Sequence, residues 1–272
     1  MGLVMELMPG GNLRRLLHDL DVDLLPVLRL RFCEEIADGI ASIHNLSPKK
    51  RLTHGDLKPE NILLTRDLRC KVGDFGSAKI VSYTGQTSTS TTAAEQSPQI
   101  TLVYAAPERL RKRFCRLRKE QDTYSYGLIV HGILSREMPH ETCSSEKEYI
   151  DAIQEGFRPD LEAIVEFEKS LDNRKDKEIL IVLKSVMTRC WKDSPTDRPG
   201  MLNVRDELQR LMSQQKPSDI MRGVAKALDK LKIFEPLESD HRCVPLNCFD
   251  VKTRKFAEGW FGLLLASHRQ LL

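Results

Sequence analysis

LTHGDLKPENILL, residues 52–64, places four polar residues of different chemistry within eight positions and follows them with an apolar run. These residues are His54, Asp56, Lys58 and Asn61. Phosphate transfer from a nucleotide needs a group that accepts a hydroxyl proton and ligands that hold magnesium against the phosphates. Asp56 can accept the proton, Lys58 can neutralise the transferred phosphate, and Asn61 can offer a metal an uncharged oxygen. The stretch therefore predicts a loop that catalyses phosphate transfer.

Two further motifs follow this loop along the chain. D-F-G (74–76) comes first, and its Asp74 can give a metal a charged ligand; A-P-E (106–108) comes after it. The kinase catalytic loop is H-R-D, then four residues, then Asn, with D-F-G further on. Residues 54–61 keep that spacing, and three motifs in order are far more specific than any one of them. A catalytic Asp56 is favoured over a turn-capping one, because Lys58, Asn61 and Asp74 accompany it.

Residues 3 to about 213 resemble the C-terminal lobe of a eukaryotic protein kinase, most closely the tyrosine-kinase-like group of Ser/Thr kinases that includes receptor-interacting kinases. The resemblance predicts an α+β fold that is mainly α, with short strands beside the catalytic loop and D-F-G. It extends to DTYSYG (122–127), whose Asp122 would hold the catalytic-loop backbone. It also covers CWKDSPTDRP (190–199), whose Arg198 would pair with Glu108.

The resemblance also implies the roles of individual residues. The stretch VMELMPGGNL (4–13) matches the hinge that receives adenine, with Met5 as gatekeeper. Thr101 matches the threonine that bonds the catalytic Asp and Lys in Ser/Thr kinases, and Lys58 agrees with that substrate class. The implied cofactors are ATP and magnesium, with Asn61 and Asp74 as metal ligands. The implied ATP contacts are Glu6 and Met8 at adenine, Asn12 at the ribose, Leu63 under the base, and Lys58 and Asp74 at the phosphates.

Composition limits the other classes of function. The 272 residues carry a net charge of +3, which is too small to indicate a nucleic-acid or membrane-surface partner. Seven mostly scattered cysteines indicate a reducing compartment, and we predict a cytoplasmic protein. The apolar run GWFGLLLA (259–266) is too short to span a bilayer. The expected partners are ATP and a protein substrate, with further proteins possible on the helices or the tail.

Apolar periodicity and turn residues divide the chain into a kinase domain over 1–213 and an extension of unknown role over 214–272. The Ser/Thr-rich segment 82–101 is predicted as an exposed loop, and it fits a flexible linker as well as a regulated phosphorylation site. The basic run 109–119 is read as a solvated loop, with a docking site for acidic partners as the alternative. Helices are predicted at 12–18, 26–44, 122–136, 146–155, 177–190, 201–213 and 219–233, and strands at 2–7, 62–64 and 70–75.

The chain departs from the kinase pattern in two ways. No G-x-G-x-x-G occurs in it, so we predict a fragment with an incomplete ATP site that is inactive alone. A non-catalytic, kinase-like interaction module or pseudokinase is the alternative. In addition, Gly55 stands where the family usually has an arginine that pairs with a phosphorylated loop residue. Activation is therefore predicted to depend less on loop phosphorylation than in kinases that keep the arginine.

Overall fold

The computed structural model describes residues 6–19, 21–46, 50–76, 78–82, 102–111, 117–139 and 143–231. The chain divides into a unit of residues 8–235 and a second unit of residues 1–7 with 236–272. Of the second unit only Glu6 and Leu7 lie within the described ranges. The larger unit contains all of the helices and strands of the described ranges.

The described part of the larger unit is mainly helical, which confirms the predicted fold class. Its α-helices are α1 Leu13–His18, α2 Pro26–His44, α3 Pro107–Arg111, α4 Lys119–Ser135, α5 Glu146–Gln154, α6 Glu162–Ser170, α7 Arg174–Cys190, α8 Met201–Ser213 and α9 Pro217–Lys230. Its strands are β1 Lys50–Thr53, β2 Ile62–Leu64, β3 Cys70–Val72 and β4 Lys79–Ser82. The strands form two antiparallel pairs, β1 with β4 and β2 with β3.

Helix α2 is the centre of the core, and its position follows from its sequence. Pro26 occupies the first turn, where its missing N–H costs no hydrogen bond. Leu28, Phe32, Ile36 and Ile40 recur at steps of four residues, and each has no exposed area. Burying each of these side chains stabilises the fold by roughly 1.5–3 kcal/mol. Helices α4, α7, α8 and α9 all pack against α2.

Helix α4 is buried along nearly its whole length, so its polar residues have partners inside the protein. Ser125 donates to the carbonyl of Tyr104 at 2.8 Å, and Tyr126 donates to the carbonyl of Cys33 at 2.9 Å. At its C-terminal end, the buried Arg29 donates to the carbonyls of Ile133 and Leu134 at 2.7 and 2.6 Å. Helix α4 is thus fixed in the core from several sides, which matters because Asp122 lies in its first turn.

Helix α9 packs against α2 through two buried small residues, Gly223 and Ala227. A Cβ added at Gly223 would lie 3.4 Å from the side chains of Val27 and Leu28. Lys226 also pairs with Asp23 at 2.5 Å. The domain boundary near residue 213 stays a prediction, and α9 covers part of the core from beyond that boundary.

Several elements differ from the sequence-based expectation. Helix α6 and the pair β1–β4 were not predicted, and α3 takes up the start of the basic run that was read as a loop. Strand β3 ends at Val72 instead of residue 75, because Gly73 and Asp74 turn the chain there. Helices α4, α7 and α9 begin earlier than predicted. The larger parts of the predicted strand 2–7 and of the loop 82–101, with residues 112–116, lie outside the described residues.

Arg198 and Glu108 form the expected pair, which ties α3 to the segment that precedes α8. Both terminal guanidinium nitrogens of Arg198, Nη1 and Nη2, donate to Glu108 at 2.8 Å, and the arginine side chain is fully buried. Arg198 also donates to the carbonyls of Lys192, Glu120 and Asp193 at 2.8 to 2.9 Å. The pair therefore joins three separate segments of the chain.

We expect Arg198→Ala to lower the free energy of unfolding by about 3–5 kcal/mol, because it leaves the Glu108 carboxylate without its partner. Arg174→Ala is the matched control, since Arg174 is 92% exposed and pairs with Glu178 on the helix surface. That change should cost less than about 1 kcal/mol. Urea unfolding followed by circular dichroism measures both, and equal losses in the two variants would contradict the structural role of Arg198.

Candidate active site

The Asp122 carboxylate holds the backbone at the start of the predicted catalytic loop. Its Oδ2 accepts from the His54 N–H at 2.8 Å, and its Oδ1 accepts from the Gly55 N–H at 2.9 Å. His44, at the end of α2, donates from Nε2 to Oδ2 at 2.8 Å. Asp122 is 1% exposed, so its desolvation must be offset by these three bonds. The role expected for Asp122 is the one that it has in the structure.

His54 links this loop to the D-F-G segment. Its Nε2 donates to the Gly73 carbonyl at 2.9 Å, and its Nδ1 accepts from the Asp56 N–H at 3.3 Å. These two bonds assign His54 the tautomer with the proton on Nε2. Its ring also lies 5.1 Å from that of Phe75. His54 is fully buried and both of its ring nitrogens bond backbone groups, so its role is structural.

Asp56, Lys58 and Asn61 come together around one carboxylate oxygen. Lys58 Nζ lies 3.1 Å from Asp56 Oδ2, and Asn61 Nδ2 lies 3.4 Å from the same atom. Asn61 Nδ2 also donates to the Asp56 carbonyl at 2.8 Å, across a short 3₁₀ turn over Pro59–Asn61. Because these contacts orient the Asp56 carboxylate and the Asn61 amide, the three side chains form one preorganised group.

Asp74 follows β3 in the left-handed backbone region, with φ of 56°, and its side chain is exposed. Its Oδ1 accepts from the Gly76 N–H at 3.2 Å. The Gly73 N–H donates to the Asn61 carbonyl at 2.8 Å, so the residue before Asp74 is bonded to the predicted metal-ligand residue of the loop. The loop and D-F-G therefore form one connected unit.

The donor set of Asn61 and Asp74 fits magnesium. The amide nitrogen of Asn61 donates a hydrogen bond, so the amide oxygen is the side-chain atom that is left to bind a metal. Mg²⁺ is usually held by one or two protein oxygens together with substrate phosphates, and it keeps water ligands. Within the described ranges no group of three or more His, Cys, Asp and Glu side chains could hold a metal by itself. The arrangement thus suits an ion that arrives with a phosphate ligand.

The residues expected near adenine and ribose have varied positions. Asn12 and Leu63 face each other in an isolated antiparallel bridge, and the Asn12 side chain accepts from the Arg15 N–H at 3.0 Å as the cap of α1. The segment packs tightly here, because a Cβ at Gly10 would lie 2.7 Å from the Thr65 carbonyl oxygen. Met8 is half-buried beside this turn. Glu6 is exposed in the smaller unit, while Met5 and Thr101 lie outside the described residues.

Sequence reasoning missed one residue at this site, Arg109 in α3. Its guanidinium donates to the carbonyl of Gly55, the residue directly before Asp56. Arg109 and Asp56 also line the same small cavity, together with Asp122 and Ser125. The sequence signal was the position of Arg109 directly after A-P-E. Arg109 and Gly55 are 54 positions apart, so no local pattern indicates their contact.

Comparison with known proteins gives consistent results. A family model described as "Protein kinase domain" matches residues 1–210. The chain is 33% identical over 215 residues to bovine (Bos taurus) "Receptor-interacting serine/threonine-protein kinase 2", covering 78% of this chain and 38% of the relative. It is 31% identical over 225 residues to mouse (Mus musculus) "Receptor-interacting serine/threonine-protein kinase 4", covering 82% and 26%. It is 28% identical over 259 residues to human (Homo sapiens) "Receptor-interacting serine/threonine-protein kinase 1", covering 89% and 36%.

The chain therefore spans from about a quarter to about two fifths of the length of these curated relatives. Of the helices in the described segments, none is both long and apolar enough to cross a membrane.

We expect Asp122→Ala to destabilise the fold by about 1–3 kcal/mol for each of the two buried N–H groups that lose their acceptor. Asp122→Asn keeps one acceptor oxygen, so it should lose less. Asp172→Ala, at an exposed aspartate, is the control and should stay within about 0.5 kcal/mol of wild type. Urea unfolding would contradict the role of Asp122 if Asp122→Ala and Asp172→Ala were equally stable.

Proposed function

Because the chain belongs to the protein kinase domain family, we propose that it forms the lobe of a Ser/Thr protein kinase that carries the catalytic loop. The reaction is transfer of the γ-phosphate of ATP to a Ser or Thr hydroxyl of a protein. The observation that carries the proposal is the grouping of Lys58 and Asn61 around Oδ2 of Asp56, at 3.1 and 3.4 Å. A carboxylate, a cation and an amide at these spacings suit phosphate transfer, which depends chiefly on positioning and charge.

Each side chain of this group has a proposed part in the reaction. Asp56 orients the substrate hydroxyl and accepts its proton as the oxygen attacks phosphorus. Lys58 neutralises the charge of the transferred phosphate, and its contact with Asp56 supports a position beside the attacking oxygen. Thr101 is proposed to bond Asp56 and Lys58, on the resemblance alone.

Asn61 and Asp74 are the proposed magnesium ligands. Magnesium supplies positive charge that neutralises the phosphates of ATP during the transfer. The bond between the Gly73 N–H and the Asn61 carbonyl supports this assignment, because it keeps the loop and the D-F-G turn in register. The proposed nucleotide contacts are Glu6 and Met8 at adenine, Asn12 at the ribose, Leu63 under the base, and Lys58 and Asp74 at the phosphates.

Two considerations support a Ser/Thr substrate and a reducing, cytoplasmic setting. The bovine, mouse and human relatives are described as serine/threonine-protein kinases, and Lys58 stands where Ser/Thr kinases carry lysine.

The four described cysteines are free thiols, and Cys33, Cys70 and Cys190 are buried. Burial raises the pKa of each of these three. We keep residues 1–213 as the proposed kinase domain and 214–272 as an extension that could bind partner proteins.

Because the 272 residues are predicted to be inactive alone, the test of activity is transfer from radiolabelled ATP to a peptide array by a protein completed with a kinase N-terminal lobe. We expect phosphoserine and phosphothreonine, with no phosphotyrosine. Asp56→Asn should lower the rate by at least about 100-fold, since it keeps the shape of the side chain but removes the base. Asp172→Asn is the control and should match wild type. A complete absence of transfer by the completed protein would favour a non-catalytic interaction module instead, and a signal that persists in Asp56→Asn would refute the role of Asp56 as the base.

The affinity for ATP gives a second prediction. The 272 residues contain no G-x-G-x-x-G to cover the phosphates, so we expect them alone to bind Mg-ATP weakly. Isothermal titration should show a Kd weaker than about 1 mM, which corresponds to only about 4 kcal/mol of binding free energy. Saturable binding in the micromolar range would show that these residues hold ATP by another arrangement.

A further inference from the structure

The backbone around Gly55 is bonded on both sides of its Cα atom. Gly55 has φ of 78°, in the left-handed region that glycine adopts without steric cost. The peptide before it is held by Asp122, which accepts the Gly55 N–H at 2.9 Å. The peptide after it is held at its N–H by His54 Nδ1, 3.3 Å from the Asp56 nitrogen, and at its carbonyl by Arg109.

These bonds differ in strength. The contact from the Asp56 N–H to His54 is long, whereas the contact from Arg109 is charge-assisted. Gly55 has the widest conformational freedom of any residue type, so its ψ rotation is limited mainly by whatever holds its carbonyl. That rotation turns the following peptide and moves Asp56. The Arg109 guanidinium therefore acts on the backbone that leads into Asp56, while Lys58 and Asn61 contact Asp56 itself.

Helix α3 can serve as a fixed base for this arginine. Glu108, the preceding residue, is bonded twice to the buried Arg198 at 2.8 Å. Arg111 donates to both carboxylate oxygens of Asp193 at 3.0 and 2.9 Å, and also to the carbonyl of Gln154. Because α3 is bonded on both sides of Arg109, it keeps this arginine in place against the loop.

We propose that Arg109 is a positioning residue for Asp56, acting through the carbonyl of Gly55. The proposal rests on the function proposed above, because it assumes that the orientation of Asp56 matters for phosphate transfer. It also explains how a residue of the same chain can order the catalytic loop. A cation supplied by α3 bonds the loop backbone where the family usually has an arginine side chain that meets an added phosphate.

Hydrogen exchange of the full chain tests the contact without requiring catalysis. Arg109→Met keeps an apolar stem but removes all donors, and Arg109→Lys keeps a cationic donor. We expect the amides of residues 55–57 to exchange at least about tenfold faster in Arg109→Met, with Arg109→Lys between it and wild type. Arg174→Ala, which removes an arginine that is 92% exposed on the surface of α7, is the matched control and should leave these amides unchanged.

The amides of α2 act as an internal reference. If residues 55–57 exchange at the wild-type rate in Arg109→Met, the proposal is wrong. If the amides of α2 exchange faster than in wild type, and to the same extent in Arg109→Met and Arg109→Lys, Arg109 supports the fold in general. The proposal is then also wrong. Local acceleration confined to the loop supports the proposal, even in a preparation that shows no phosphate transfer. If the protein completed with an N-terminal lobe also transfers no phosphate, the proposed function alone is refuted.

Kinetics complete the test wherever transfer is measurable. Arg109→Met should lower kcat by about 10- to 100-fold, because a displacement of about 1 Å at a catalytic group can cost that much. The KM for ATP should stay within about twofold, since the bond that Arg109→Met removes is to the loop backbone at Gly55. Arg109→Lys should recover part of kcat. An unchanged kcat in Arg109→Met would overturn the positioning role while leaving the kinase assignment intact.

Discussion

The site depends on one buried carboxylate, that of Asp122. It accepts from two consecutive backbone N–H groups, those of His54 and Gly55, and from His44 of α2. A carboxylate that is 1% exposed is stable only when its bonds replace those it made to water. The predicted catalytic loop thus takes its conformation from α2 and α4, and the packing of these helices is a condition for the geometry at Asp56.

Gly73 carries this constraint from the loop to the second predicted metal ligand. Its carbonyl accepts from the His54 ring, and its N–H donates to the Asn61 carbonyl. Both ends of the catalytic loop are therefore bonded to the residue that precedes Asp74. A shift of the loop that left these bonds in place would carry the start of the D-F-G turn with it. Two motifs that are separate in sequence form one unit through backbone bonds that do not depend on side-chain identity at Gly73.

What the sequence predicted well is local in the chain. The four-residue spacing of Leu28, Phe32, Ile36 and Ile40 indicated α2 with its observed bounds, because helix burial follows a short period. Strands β1 and β4 were missed because each is four residues long and pairs across about thirty positions. Helix α6 is nine residues long and has one fully buried residue, Ile164, so few of its positions carry the helical pattern. The Arg109–Gly55 contact depends on the placement of α3, which no local pattern encodes.

Gly55 shows how the structure changes the meaning of a sequence departure. In the sequence, Gly55 occupies the position where the family usually has an arginine, so the contact of that arginine with a phosphorylated loop residue is missing. In the fold its φ of 78° is a conformation that costs other residues roughly 1–2 kcal/mol, so glycine is the residue that fits there most readily. The conformational freedom that glycine adds is limited by Asp122 on one side and by Arg109 on the other. A loop without the usual arginine can thus be ordered from outside, by a charge on a neighbouring helix that is itself anchored to Arg198.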